Sequence, residues 1–261
     1  MHAIHTARWW RHMGWLLLAF VPLALLFAST DLDLNIARRL FFDTEHLRWV
    51  GAGNWWIEAV LHTGGRWFVR ALVASAGIAW LATHIEPSWR PLRRPAAYFV
   101  VATVLAVGSV GLLKTVTNVD CPWDLANFGG QMPFVHLFAH RAASLRHARC
   151  FPAAHASSGY ALIALYFVAR ERSLTLARAG LFVGVLVGVV FGLAQQARGA
   201  HFVSHDLWSA YLVWCIVGSV YVFVFKARLG EPLEGVAQEK GLASTGGSRQ
   251  IIPAAEIPPH R

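Results

Sequence analysis

Between Arg198 and Asp206 the chain reads RGAHFVSHD, so an arginine, two histidines and an aspartate crowd a short segment between long apolar runs. Ionisable side chains are costly close to a bilayer, and where they persist they mark function. Two further polar clusters share this setting. KTVTNVDCPW starts at Lys114, after one apolar run, and RCFPAAHASSGY starts at Arg149, before another. These residue types suit phosphoryl transfer. A phosphate ester needs cations on its oxygens, a nucleophile at phosphorus and an acid for the leaving oxygen. Lys114 and Arg198 supply positive charge, with Arg149 beside the second cluster, and an arginine fork grips two oxygens at once. A neutral imidazole attacks phosphorus to give a phosphohistidine, and a neighbouring carboxylate can orient its ring. A second imidazole serves as the acid, because its ordinary pKa of about 6.5 lets it move a proton either way.

The apolar runs must bring these clusters together. The composition is 56% hydrophobic and 14% charged, against roughly 25% charged for a soluble domain. Twelve tryptophans and sixteen phenylalanines suit anchors at lipid–water boundaries. The sequence therefore predicts an integral membrane protein. Six segments, 13–29, 67–83, 96–113, 156–169, 179–195 and 207–225, have the length and apolarity to cross a hydrocarbon core, which takes about 17–25 helical residues. The fourth is short, and HASSGY completes it. Basic residues hug one set of helix ends: Arg8 and Arg11, Arg90, Arg93 and Arg94, Arg170, Arg172 and Arg178, then Lys226 and Arg228. The opposite loops carry every aspartate. The positive-inside rule then places both termini in the cytoplasm and the three polar clusters together at the outer face. It also accounts for the formal charge of +9 without nucleic acid, since no basic block with interleaved aromatics stands in a soluble segment.

The expected fold class is all-α: a polytopic membrane protein with six transmembrane helices over residues 1–229. An outer cap of loops and short helices comes from 30–66 and 114–155. Within it, NWWIEAVLHTGG reads as an interfacial helix stopped by Gly64 and Gly65. The first span is read as retained, because no small-x-small cleavage site follows it. The polar, aperiodic stretch 230–261 reads as a disordered cytoplasmic tail.

The order of these motifs resembles the type 2 phosphatidic acid phosphatase (PAP2) superfamily of membrane phosphatases, across the whole six-helix body. The family pattern is a lysine with Arg-Pro seven residues on, then Pro-Ser-Gly-His. Ser-Arg follows, with a histidine six residues beyond that arginine and an aspartate four beyond the histidine. Lys114 and Pro122 fit the first motif, Pro152 and His155 the ends of the second, and His201 the last histidine. The chain departs from the pattern at Cys121 in the arginine position and at Ala153 and Ala154 in place of Ser-Gly. Gln195 lies six residues before His201, with Arg198 only three before it. The resemblance implies a phosphatase with His201 as nucleophile and His155 as general acid. His205, four residues after His201, and Asp206, five after, are alternative groups to orient it; helix spacing favours the first and the carboxylate the second.

The substrate class implied is a phosphorylated lipid in a bacterial-type inner membrane: a polyprenyl diphosphate, phosphatidic acid, phosphatidylglycerophosphate or a lipid A phosphate. A lipid phosphoryl transferase using the same site is the alternative, and a polytopic lipid transporter the non-enzymatic one. Transporters tend to place charges near mid-membrane rather than at helix ends. No metal and no cofactor is expected: His201 and His205 have the spacing of a ligand pair, but neither His-Glu-x-x-His nor Cys-x-x-Cys occurs. His62, His136, His140 and His147 read as interfacial polar residues, and Arg38, Arg39 and Arg48 as headgroup contacts. Cys121 and Cys150 share an outer loop, where oxidation is permitted. A disulfide there would stabilise by on the order of 3–4 kcal/mol and tie the lysine motif to that of His155. Cys215 reads as a small apolar packing residue.

Overall fold

The computed structural model describes residues 2–225, with side chains from Trp9 to Phe223. The expected tail 230–261 and the flanking Lys226 and Arg228 lie outside the described residues. The chain is mostly helical. α1 (His2–Ser29) leads to the short α2 (Leu32–Leu40) and a two-stranded antiparallel ribbon, β1 (Phe42–Asp43) with β2 (Arg48–Trp49). Then come α3 (Gly65–Ile85), α4 (Arg93–Val116), α5 (Ala154–Tyr160), α6 (Ala164–Ala169), α7 (Leu174–Ala197) and α8 (Val203–Val220). Among the described residues, five helices are long and apolar enough to cross a membrane: Trp9–Ser29, Trp56–Ile85, Pro87–Val116, Leu174–Ala197 and Val203–Phe223.

The fourth expected segment is a helix at Ala154–Ala169, too short to be among those five and interrupted by a 3₁₀ turn at Ala161–Ile163. It is also the most enclosed element, with Ala156, Ala161, Leu162, Ala164 and Phe167 buried with Tyr98, Val213 and Val217 in the main core. A helix surrounded by protein does not have to match the lipid thickness. Its second turn lies almost backbone to backbone on α7, since a Cβ on Gly159 would stand 2.7 Å from Gly188, the close approach that small residues permit.

One expectation is corrected, at residues 54–65. They do not form a separate interfacial helix. Trp56–Gly64 is a π-helical stretch that runs unbroken into α3, with Gly64 and Gly65 both in right-handed helical conformation. Glycine tolerates a helix; it does not by itself end one. At Gly65 the missing side chain makes room for the Phe191 ring of α7.

The loops gather around a second cluster, in which Leu34, Ala37, Phe42, Trp49, Leu125, Phe128 and Phe202 pack together. The segment between α4 and α5 is closed by a buried pair: Arg141 donates from Nε and Nη2 to the two oxygens of Asp120, each at 2.9 Å. Phe202 stands at the N-cap of α8 and offers no oxygen to its first amides. Asp33 of α2 supplies one, accepting from Ser204 N at 3.1 Å and from Ser204 Oγ.

That carboxylate is 7% exposed, and burial pushes its pKa up from 3.8 to about 6 against the opposing Ser204 hydrogen bonds. Between those values the folded protein holds a proton that the unfolded chain has lost. Stability from Asp33 is therefore fully present below that window and falls as the pH rises through about 6. Asp33→Asn keeps an acceptor for Ser204 and removes the charge. Its melting temperature in detergent is expected to exceed wild type by on the order of 5 °C at pH 8, with the gap closing near pH 4. A variant less stable than wild type at pH 8 contradicts this account.

Candidate active site

α4 delivers Lys114 in its last turn, and the Cys121–Cys150 disulfide joins the segment that follows to the segment before α5. Cys150 N donates to Val119 O at 3.0 Å and Thr117 Oγ1 donates to Phe151 O, so backbone and side chain tie the two strands of this loop alongside the covalent bond. α5 then presents His155 in its first turn.

His201 comes from the turn between α7 and α8. Gly199 has φ +73°, and the amides of Gly199 and Ala200 donate to Gln196 O and Gln195 O, each at 2.9 Å. This is the Schellman termination that a left-handed glycine allows. A Cβ at Gly199 would also overlap the Trp49 ring. Gly51 N donates to Ala197 O at 2.8 Å and Trp123 N to Gly199 O at 2.9 Å. The turn carrying His201 is thus fastened by both loop segments.

A cavity of about 860 Å³ receives these elements, and Lys114, Arg149, His155, Arg198 and His201 all line it. His201 is 6% exposed. Its Nδ1 lies 3.5 Å from His205 Nδ1 and 3.8 Å from Cys150 Sγ, which leaves Nε2 as the nitrogen for the cavity. Burial first, then the positive charge of Lys114, holds its pKa well below the ordinary 6.5, with a Cys150 backbone hydrogen bond opposing. The ring is therefore neutral near pH 7. His205 is enclosed by the edges of Phe151 and Phe202.

Asp206 does not reach His201. Its carboxylate accepts from Gln196 Nε2 and lies over Gly192 of α7. One residue further along α8 turns it about 100° away from His205, and of the two alternatives only His205 touches His201.

His155 stacks on Phe191, with ring centroids 4.4 Å apart, and pairs its Nε2 with Leu61 O at 3.1 Å. Its Nδ1 is buried with no partner among the described residues, so it is the nitrogen available to a ligand. The carbonyl it uses belongs to the π-helical stretch, a deviation that recurs at functional sites.

Four lining residues were not foreseen. His62 sits in the cavity with its ring centroid 5.0 Å from that of His155, and is corrected from an interfacial residue. Arg66 and Arg70 line the same cavity from α3; an arginine inside a span, four residues from another, was the available signal. Gln195 is 3% exposed. Its Oε1 accepts from Arg198 Nη1 at 3.0 Å, and its Nε2 has no partner among the described residues. It stands where the expected motif has arginine, and leaves one amide donor for a ligand oxygen. Among the described residues no carboxylate lines the cavity; Glu58 Oε1 approaches Arg198 Nε only to 3.9 Å. The cavity is built for an anion.

Cys150, His201 and His205 bring one sulfur and two ring nitrogens within 4.8 Å of one another, the kind of group that could hold a metal ion. The disulfide already takes the sulfur.

No curated protein and no solved structure matches the chain. The model of the PAP2 superfamily matches residues 95–229, which takes in α4 to α8 and leaves the π-helical stretch and α3 outside.

Proposed function

The chain belongs to the PAP2 superfamily, whose members act as phosphatases or phosphotransferases on phosphorylated substrates, and from that premise we propose a lipid phosphate phosphatase working through a phosphohistidine at His201. One observation carries this reading: two histidines with ring nitrogens free for a ligand share a cavity with Lys114, Arg149 and Arg198, and no carboxylate lines it among the described residues.

In the reaction proposed, Lys114, Arg149 and Arg198 hold the phosphate oxygens, with the Gln195 amide as a neutral donor. His201 Nε2 attacks phosphorus in line; the N–P bond forms as the bond to the leaving oxygen breaks. With its Nε2–H donated to Leu61 O, His155 takes a proton onto Nδ1 as the anionic phosphate binds and gives it to that oxygen; the Nδ1 so freed then removes a proton from the water that hydrolyses the phosphohistidine. His205 holds the ring of His201. Transfer to a second lipid instead of water starts from the same intermediate.

The apolar wall supports a lipid. Val69 and Val73 of α3 and Val104 and Val107 of α4 also line the cavity, so a hydrocarbon chain can stay between helices while its headgroup reacts. The purified protein, assayed with chelator on lipid phosphates, is expected to release inorganic phosphate. Strict dependence on added metal would reject the mechanism, and no release from any lipid phosphate would reject the phosphatase.

The proposed setting is a bacterial-type inner membrane, with Ala154–Ala169 as a sixth crossing, both termini cytoplasmic and the cavity facing outward beneath the loop cluster. Single cysteines introduced at 45 and 140 are expected to react with an impermeant reagent applied outside, and those at 90 and 172 to be protected. Labelling at 90 from outside overturns this topology.

A further inference from the structure

We propose that Arg66 and Arg70 form a second anion subsite in the cavity, shaped for the proximal phosphate of a lipid diphosphate while His201 attacks the distal one. This rests on the phosphatase reading of the site and narrows its substrate class.

Arg66 and Arg70 stand four residues apart on α3, hence on one helix face and about 6 Å apart along its axis. Both line the cavity, with Val69 between them in sequence and Val73 and Ala74 one turn further along the same helix. A ligand entering between α3 and α4 from that end thus passes Val73 and Ala74, then Arg70 and Arg66, before the cluster around His201. The cavity of about 860 Å³ falls in the range that encloses a drug-sized ligand, roughly 300–1,000 Å³. It has room for two phosphoryl groups and the start of a chain.

Charge supports the same ligand. Lys114, Arg149 and Arg198 already outnumber the two negative charges of a fully ionised phosphate monoester. Arg66 and Arg70 add two cations in a helix long and apolar enough to span a membrane, and no carboxylate lines the cavity with them among the described residues. The Arg70 guanidinium lies 5.1 Å from the Trp67 ring centroid, which can steady its position but brings no negative charge. A second phosphoryl group supplies that charge, and guanidinium forks hold it in two-point contact. Neither arginine lies within 95–229, so the subsite is a feature of this chain outside the family-matched segment.

The chemistry changes accordingly. The His201 N–P bond forms and the bond from the distal phosphorus to the bridging oxygen breaks. That oxygen stays on the lipid monophosphate with the electron pair. Its charge develops beside Arg66 and Arg70, and water later removes the phosphoryl group from His201. A phosphate leaves without needing a proton as an alkoxide does, so the arginines take over much of what His155 does for a monoester.

The test uses the full chain in detergent micelles and the variants Arg66→Gln, Arg70→Gln and the pair, with farnesyl diphosphate and farnesyl monophosphate as substrates. The ratio of kcat/KM, diphosphate over monophosphate, is expected to fall about tenfold for each single variant and on the order of 100-fold for the pair, as charged contacts are lost. An unchanged ratio, with both substrates slowed alike or neither slowed, overturns the subsite and makes the arginines a general field or headgroup anchors. If wild type hydrolyses neither, the phosphatase reading fails separately. Binding then decides the subsite: a farnesyl methylenediphosphonate preferred over farnesyl phosphonate by wild type but not by the pair supports it, and equal binding by wild type overturns it.

Discussion

His201→Ala is expected to lower turnover of any lipid phosphate by on the order of 10⁶-fold, the scale seen when an enzyme loses its nucleophile. The neighbouring sulfur and hydroxyl groups cannot stand in for it. Cys121 and Cys150 are bonded to each other, and the Ser158 hydroxyl is committed to His155 O at 2.6 Å. The neutral state of His201 is set by its surroundings, since burial and Lys114 hold its pKa well below 6.5. Activity rises as this group loses its proton, so the acidic limb that it contributes to kcat/KM of wild type should lie well below pH 6.5 and be complete by then. The alanine variant should still unfold at a temperature close to that of wild type, because Gly199 and the amides around it hold the turn whatever ring it carries. Residual activity within tenfold of wild type in a folded variant sinks the assignment of nucleophile. Trapping an acid-labile, base-stable phosphoenzyme in wild type and losing it in the variant supports it directly.

The second large effect is at His155. His155→Ala should slow hydrolysis of a lipid monoester by about 10²–10⁴-fold, the span typical for loss of a general acid. The size should depend on the leaving group. An alkoxide must be protonated as it departs, whereas a nitrophenolate or a phosphate need not be. The loss is therefore expected to shrink towards tenfold or less for a nitrophenyl phosphate or a lipid diphosphate. An equal loss on all three substrates would show that His155 positions phosphate or supports the fold, without donating a proton. His155→Gln helps to separate these cases, since an amide can keep the bond to Leu61 O and the contact with Phe191 while carrying no transferable proton. It should behave like alanine in rate and like wild type in melting temperature.

Much of this site is legible along the chain because its residues sit where apolar helices stop. Lys114 at the end of one run, His155 at the start of another and His201 between two more are readable as ends, and alternating helices bring such ends to one side. The motif order then aligns them with phosphoryl transfer, and the family match agrees. Composition alone also determines that this is a helical membrane protein, because unpaired backbone is too costly in lipid for long apolar segments to be anything but helices or closed barrels.

Other parts were decided only when the helices packed. Whether the helix ends at Gly64 and Gly65 depends on the packing around it, where Gly65 meets the Phe191 ring, and no local signal reports a ring from α7. Once the helix continues, it carries His62, Arg66 and Arg70 into the cavity and sets Leu61 O against His155. The choice between His205 and Asp206 is a matter of about 100° of rotation on α8, and α7 resolves it by offering Gln196 and the space over Gly192 to the carboxylate. The sequence determined which residues could do the chemistry, through type and spacing within single segments. Tertiary structure decided which of them share a cavity, because that rests on helix rotation and contacts between segments distant in the chain, and neither leaves a local trace.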